Sequence, residues 1–153
     1  MKRDLIVVIL LAVLAFATVE AAAQTKPVAP YSITAIRVMP YEASQGKFLE
    51  ELKPDEFGGY FNDLDKSLLV LIEVTGPAGE YVTGRRVSVR VTEGKKVKLN
   101  KVGYPGVLNE NGKYWIPIWL ESAMCDEVVI TATMTGQTKK SSMKRSLNFM
   151  CGE

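Results

Sequence analysis

The chain has 153 residues, 47% of them hydrophobic, with 19 basic and 17 acidic side chains, a formal charge of +2 and no histidine. The near-neutral balance argues against a dedicated nucleic-acid-binding protein. The lack of histidine excludes Ser-His-Asp and Cys-His catalysis and the zinc sites that need histidine. Because no Gly-rich phosphate loop or differentiated carboxylate pair stands out, we expect a non-catalytic protein without a cofactor.

The first 23 residues have the layout of a secretory signal peptide. Lys2 and Arg3 precede an apolar run, Leu5–Val19, and a small-residue site, Ala21-Ala22-Ala23, follows it. The run is about 15 residues long, shorter than the roughly 20 of a membrane-spanning helix. Cleavage after this site would export a chain to the periplasm or the medium with no further membrane span. An uncleaved anchor is the alternative.

The mature part opens with a Pro-containing lead-in, residues 24–30, that we expect to be mobile. A first strand is predicted over residues 31–39, ended by Pro40. Residues 41–66 then lack clear periodicity and are acidic, which indicates a long connection. Within it, residues 47–53 (KFLEELK) could form a short helix of two turns.

After residue 66 the strand signals are strong. The apolar run Ser67–Thr75 predicts a central strand buried on both faces. Val87, Val89 and Val91 alternate with polar residues, as in a half-buried strand. An odd-length loop would then place Val91 opposite Val97 and Arg90 opposite Lys98, which keeps the valines on one face.

Three more strands are predicted at residues 113–120, 127–135 and 144–151, with turns at sandwich spacing. The total of about seven strands predicts an all-β fold, an immunoglobulin-like β-sandwich formed by one domain over residues 31–153. Cys125 precedes the sixth of these strands and Cys151 ends the seventh. In an exported chain such a pair predicts a disulfide, stabilising the fold by roughly 3–4 kcal/mol.

Four segments between about residues 70 and 135 follow one another in a recognisable order: Val74-Thr75-Gly76-Pro77-Ala78-Gly79, Val82-Thr83-Gly84 with Val87-Ser88-Val89, Asn109-Glu110-Asn111-Gly112-Lys113, and Val129-Ile130-Thr131-Ala132. In this order of strands and turns the region resembles a bacterial immunoglobulin-like repeat of the invasin and intimin type. That family usually forms tandem surface modules that space out or present adhesive tips, so the resemblance implies a β-sandwich and a role without catalysis.

The predicted strand at 113–120 supplies the first candidate ligand-binding residues. Tyr114, Ile116, Ile118 and Leu120 would face the core, which leaves Trp115, Pro117 and Trp119 on the other face. Pro117 predicts an edge strand or a bulge. Exposed indoles would mark a surface for a protein or a glycan, whereas residues 41–66 folded across this face would bury both.

A second candidate is basic. Residues 85–101 contain seven bases and one acid, in contrast to the acidic connection. Arg86, Arg90 and Lys98 could face that connection, a neighbouring molecule, an anionic glycan or a lipid head group. A solubilising surface is the simpler interpretation.

Asp63 and Asp65 are weak candidates for a Ca²⁺ site, since they lack the Gly and terminal Glu of an EF-hand loop. The sequence therefore predicts an exported binding or structural module without catalysis. The alternatives are a Ca²⁺-dependent or glycan-binding module and, less favoured, a carboxylate-based hydrolase.

Overall fold

The computed structural model of the chain describes residues 31–53, 60–61, 66–121 and 124–150. The predicted signal peptide and lead-in, and Cys151, lie outside these residues. The described residues form nine strands and no helix: β1 Ser32–Glu42, β2 Lys47–Phe48, β3 Tyr60–Phe61, β4 Lys66–Thr75, β5 Arg86–Glu93, β6 Lys96–Gly103, β7 Lys113–Leu120, β8 Glu127–Thr135 and β9 Ser141–Met150. Accordingly, no helix in this part of the chain is long and apolar enough to cross a membrane.

The strands form two sheets with the orders β2-β1-β4-β7 and β3-β9-β8-β5-β6. Every neighbouring pair is antiparallel except β3 and β9, which pair in parallel over two residues. The predicted all-β, immunoglobulin-like β-sandwich is confirmed, and the seven long strands are the seven predicted ones. The two short strands, β2 and β3, come from the segment predicted to be a connection.

The core lies between the sheets and follows from two-residue alternation. Val70 and Ile72 of β4, and Ile130 and Met134 of β8, are fully buried on the inward faces. β4 is central, as predicted, but its outward Leu69 and Leu71 are only half-buried. The prediction of burial on both faces is therefore wrong for these two residues.

The segment after the first strand also differs from prediction. β1 does not end at Pro40 but continues to Glu42. The nitrogen and the carbonyl of a strand residue point to the same side of the strand, and the Pro40 carbonyl accepts the N–H of Leu49 at 2.8 Å, on the side away from β4. The N–H that proline lacks would therefore point away from β4, and no hydrogen bond between β1 and β4 is lost. Residues 47–53 form no helix, since β1 binds the backbone donors of Leu49 and Leu52 instead.

The register between β5 and β6 is the third difference. The strands join through a two-residue turn that pairs Glu93 with Lys96, and a bulge then places Val91 opposite Leu99. The extra residue of the bulge shifts the register by one, so that an apolar residue of β6, Leu99, again lies on the same face as Val91. The odd-length loop was expected to produce this shift. Arg90 consequently lies opposite Asn100 and not opposite Lys98.

One buried arginine closes the side of the sandwich between β1 and β9. The Arg145 guanidinium donates to the carbonyls of Ile36 and Leu52, and its Nη1 lies 3.4 Å from Glu51 Oε1. Only 9% of the residue is exposed. Arg145 thus ties β9 of one sheet to β1 of the other and to the segment that follows β2.

Candidate functional site

The outer face of the four-stranded sheet carries an apolar and aromatic surface. The pairing of β1, β4 and β7 aligns its residues in rows across the sheet, and their side chains alternate with those of the core. We call this surface the aromatic face, and it comprises Met39, Tyr41, Phe48, Leu69, Leu71, Trp115, Pro117 and Trp119.

Three rings cluster at one end of the aromatic face. The ring of Tyr41 lies 5.1 Å from that of Phe48 and 5.6 Å from that of Trp119, and Phe48 and Trp119 are 6.3 Å apart. The planes are inclined by 57° to 89°, the tilted and edge-on arrangements that aromatic pairs prefer. Phe48 is nevertheless 49% exposed and Trp119 37% exposed. Nearly half of the Phe48 surface and over a third of the Trp119 surface therefore stay open to a ligand.

The other end of the aromatic face is polar. The Arg37 guanidinium lies 5.7 Å from the Trp115 ring centroid, a cation–π contact, and its Nε lies 2.6 Å from Glu51 Oε2. Trp115 is half-buried. About 13 Å separates the two tryptophans along β7, at roughly 3.3 Å per residue.

Glu73 is a buried carboxylate directly opposite Trp115 in the β4–β7 pairing. It accepts hydrogen bonds from Thr34 Oγ1 at 2.6 Å and from Lys113 Nζ at 2.9 Å. Burial alone raises the pKa of this carboxyl, but the hydrogen bonds from Thr34 and Lys113 outweigh it and hold the pKa below its usual range. The side chain is therefore a satisfied anion, held beside the indole by two donors.

In its burial, the tryptophan face lies between the two alternatives of an open surface and a covered one. Tyr41 and Phe48 do come from the segment predicted to fold across it, and they cover one side of Trp119. They leave the indole more than a third exposed. The prediction that Pro117 marks an edge strand is confirmed, since β7 ends its sheet.

The predicted basic set is divided by the structure. Arg86 and Arg90 are exposed on the outer face of β5. Lys98 lies apart from them, with its Nζ 2.7 Å from Glu93 Oε2. The hydrogen bond from Lys98, with a second from the backbone N–H of Cys125, lowers the pKa of Glu93 despite its burial.

The remaining predicted sites lie outside the described residues in whole or in part. Asp63 and Asp65 are not among those residues, and within the described part of the chain no three His, Cys, Asp or Glu side chains group as a metal site requires. Of the predicted disulfide only Cys125 is described. The backbone N–H of Phe149 donates to the Asp126 carbonyl at 3.4 Å, so the end of β9 runs beside the residue after Cys125.

Sequence reasoning missed Tyr41, Phe48, Arg37 and Glu73 as members of the site. Glu73 carried a usable signal, because it is the one acid within the apolar run of β4. Tyr41 and Phe48 carried none, since their role depends on a hairpin that the sequence pattern did not predict.

Comparison of the sequence with models of known protein families and with curated proteins finds no significant match.

Proposed function

We propose that the chain is an exported, non-catalytic binding module that recognises a protein surface through the aromatic face. The observation that carries the proposal is the ring cluster of Tyr41, Phe48 and Trp119, which remains exposed on the outside of a sheet. Large aromatic residues left open to water usually mark an interaction site. The resemblance to surface immunoglobulin-like repeats agrees with such a role.

The composition of the aromatic face favours a protein partner. Tyr, Trp, Phe, Met and Arg are the residues enriched at protein interfaces, and Trp, Tyr and Arg dominate their binding energy. The aromatic face contains Tyr, Trp, Phe and Met, and Arg37 lies beside it, over the Trp115 ring. A flat sugar surface would favour coplanar rings, whereas these rings are tilted by 57° or more. A protein partner can supply side chains that fit between tilted rings.

The extent of the face suits an interface of moderate size. Strands β1, β4 and β7, which are 11, 10 and 8 residues long and spaced by about 4.8 Å, offer on the order of 400 Å². A standard interface buries about 800 Å² per partner, so the face would form its apolar centre with a polar rim around it. An obligate dimer buries considerably more, which favours a separate partner over a second copy of the chain.

The sheet edges offer less to a partner than the face does. β7 carries Pro117, which cannot donate to an added strand. β6, the edge of the other sheet, carries Lys96, Lys98 and Lys101. Lysine and proline on edge strands are devices that oppose edge-to-edge pairing.

The test places a photo-crosslinking amino acid at position 117 of the full chain, an exposed position of the aromatic face that leaves the ring cluster intact. The chain is expressed with its own N-terminal segment in an exporting host. The partner is identified from the adduct and purified, and its affinity is measured by calorimetry. We expect Trp119→Ala and Tyr41→Ala to raise Kd at least about tenfold, as loss of a central aromatic residue does.

Val97→Ala is the matched control, because Val97 is an exposed apolar residue on β6, away from the aromatic face. It should leave Kd within about twofold. The proposal fails if none of the proteins identified from the cross-linked adducts binds the purified chain saturably. It also fails if Val97→Ala raises Kd as much as Trp119→Ala and Tyr41→Ala do.

A further inference from the structure

The outer face of the five-stranded sheet has the opposite chemistry. Four cations lie there in two rows across the strands. In the first row, Thr131 of β8 lies between Arg90 of β5 and Lys144 of β9. In the second row, Thr135 of β8 pairs with Arg86 of β5, and the β8–β9 register continued by one residue places Lys140, just before β9, on its other side. Within each row the cation-bearing backbones are two strand spacings apart, about 10 Å.

A row of hydroxyl groups separates the two cation rows. Ser88, Thr133 and Ser142 align across β5, β8 and β9, and the Thr133 and Ser142 hydroxyl oxygens lie 2.9 Å apart. The cation rows are four residues apart along β5, about 13 Å. The result is a flat face with cations at its corners and hydroxyl groups at its centre, which we call the cationic face.

The charge of the cationic face is not compensated within the described part of the chain. Arg86, Arg90, Lys140 and Lys144 are all exposed, and none forms an ion pair with a described residue. Glu127, at the far end of β8, is the only acid among the outward residues of β5, β8 and β9. The whole chain has a formal charge of only +2, so this concentration of positive charge is local.

The surroundings of the cations favour a polysaccharide over a membrane. Binding in a lipid interface relies on aromatic or leucine side chains that enter the acyl region. The apolar side chains that point outward on β5, β6, β8 and β9 are Val97, Val102, Val129 and Met150, and none of them is aromatic or a leucine. Serines, threonines and arginines occupy most of the other outward positions of β5 and β8. Serine and threonine hydroxyls suit the hydroxyl groups of sugars, and Arg forks suit carboxylate or sulfate groups.

We propose that the cationic face is a second binding site, independent of the aromatic face, which takes an acidic polysaccharide. The two cation rows would hold successive carboxylate or sulfate groups of one extended chain, and the hydroxyl row would contact the sugar between them. Binding of this kind weakens as the salt concentration rises, because it depends on screened charges at an exposed surface.

The experiment titrates the purified exported protein by calorimetry with dextran sulfate, with polygalacturonate and with neutral dextran. The first two polymers distinguish sulfate from carboxylate as the recognised anion. We expect saturable, salt-sensitive binding to at least one of them and none to neutral dextran. Arg90→Gln with Lys144→Gln, and separately Arg86→Gln with Lys140→Gln, should each raise Kd about tenfold.

The matched control is Lys95→Gln with Lys101→Gln, which removes the same charge from exposed lysines in the β5–β6 turn and on β6. It should change Kd less than about twofold, with unchanged melting temperature in all variants. Equal weakening by the control would show a net-charge effect and overturn the proposal. So would absence of binding to both acidic polymers, or tighter binding to vesicles of equal phosphatidylglycerol and phosphatidylcholine.

Discussion

Glu73 shows how a charge can be kept on a largely apolar sheet face. A carboxylate that is only 6% exposed loses most of its hydration, and an unpaired one would be strongly destabilising. Thr34 and Lys113 replace that hydration with two short hydrogen bonds. The ionised form therefore belongs to the folded state, which links stability to pH.

We expect Glu73 to steepen the fall in the free energy of unfolding as the pH is lowered into the acid range. Its folded pKa lies below that of the unfolded chain, near 4.3. Its contribution is therefore complete above that value and is lost as the pH falls through the folded pKa. Glu93 acts in the same direction. Urea unfolding of wild type and Glu73→Gln between pH 7 and pH 3 should show a flatter decline in the variant.

Glu110→Gln, a charge change in an exposed turn, is the control for this measurement. If Glu73→Gln and wild type lose free energy of unfolding at the same rate on acidification, Glu73 has no role in that fall.

At the scale of elements, alternation, apolar runs and turn signals were together enough to predict all seven long strands. It was not enough for three features whose cause lies elsewhere in the chain. The helix expected at residues 47–53 lost its backbone donors to β1. The bulge between β5 and β6 fixed a register that turn length alone did not reveal. The link that Arg145 forms between the two sheets was not predicted, because Arg145 donates to backbone carbonyls. Every residue has such a carbonyl, so no residue type in the sequence marks the partner.

The same limit applies to the candidate site. Trp115, Trp119, Arg86 and Arg90 were found because residue type and strand period place them on outer faces. The separation of Lys98 from the arginines follows from the bulge, and no sequence pattern indicated it.

Gly112 gives a test of how two turns are held together. It has a φ of 68°, and a Cβ there would lie 2.2 Å from the Gly76 carbonyl oxygen. Gly79 has a φ of 71°, but a Cβ there would meet nothing within 4 Å. Gly79→Ala should therefore cost about 1 kcal/mol from the backbone alone, and Gly112→Ala at least about 2 kcal/mol more.

Urea unfolding gives the free energy of unfolding of the two glycine variants. Because both glycines have a left-handed backbone, the difference between the two losses measures the clash of the new Cβ at position 112 with the Gly76 carbonyl oxygen. Equal losses of free energy would mean that the turns containing Gly76 and Gly112 move apart without consequence.

At the scale of the whole molecule, one cross-link between Cys125 and Cys151 would hold β9 against the start of β8. We expect intact protein to show no alkylation in denaturant until a reductant is added. Reduction should lower the free energy of unfolding by roughly 3–4 kcal/mol, the entropy of closing a loop of this length. Alkylation of both thiols without reductant would contradict the predicted pairing and the oxidising compartment it implies.

The two sheets present their outer faces in opposite directions, one aromatic and one cationic, across roughly 10 Å of packed core. Ligands on the two faces could not compete for space, so a domain with both sites would work as a coupler. A protein on one side and a polymer on the other would be joined without touching. Anchored on the polymer, many copies would present their aromatic faces as an array. A partner with several docking points would then bind by avidity, held by effective concentration more than by the strength of any single contact.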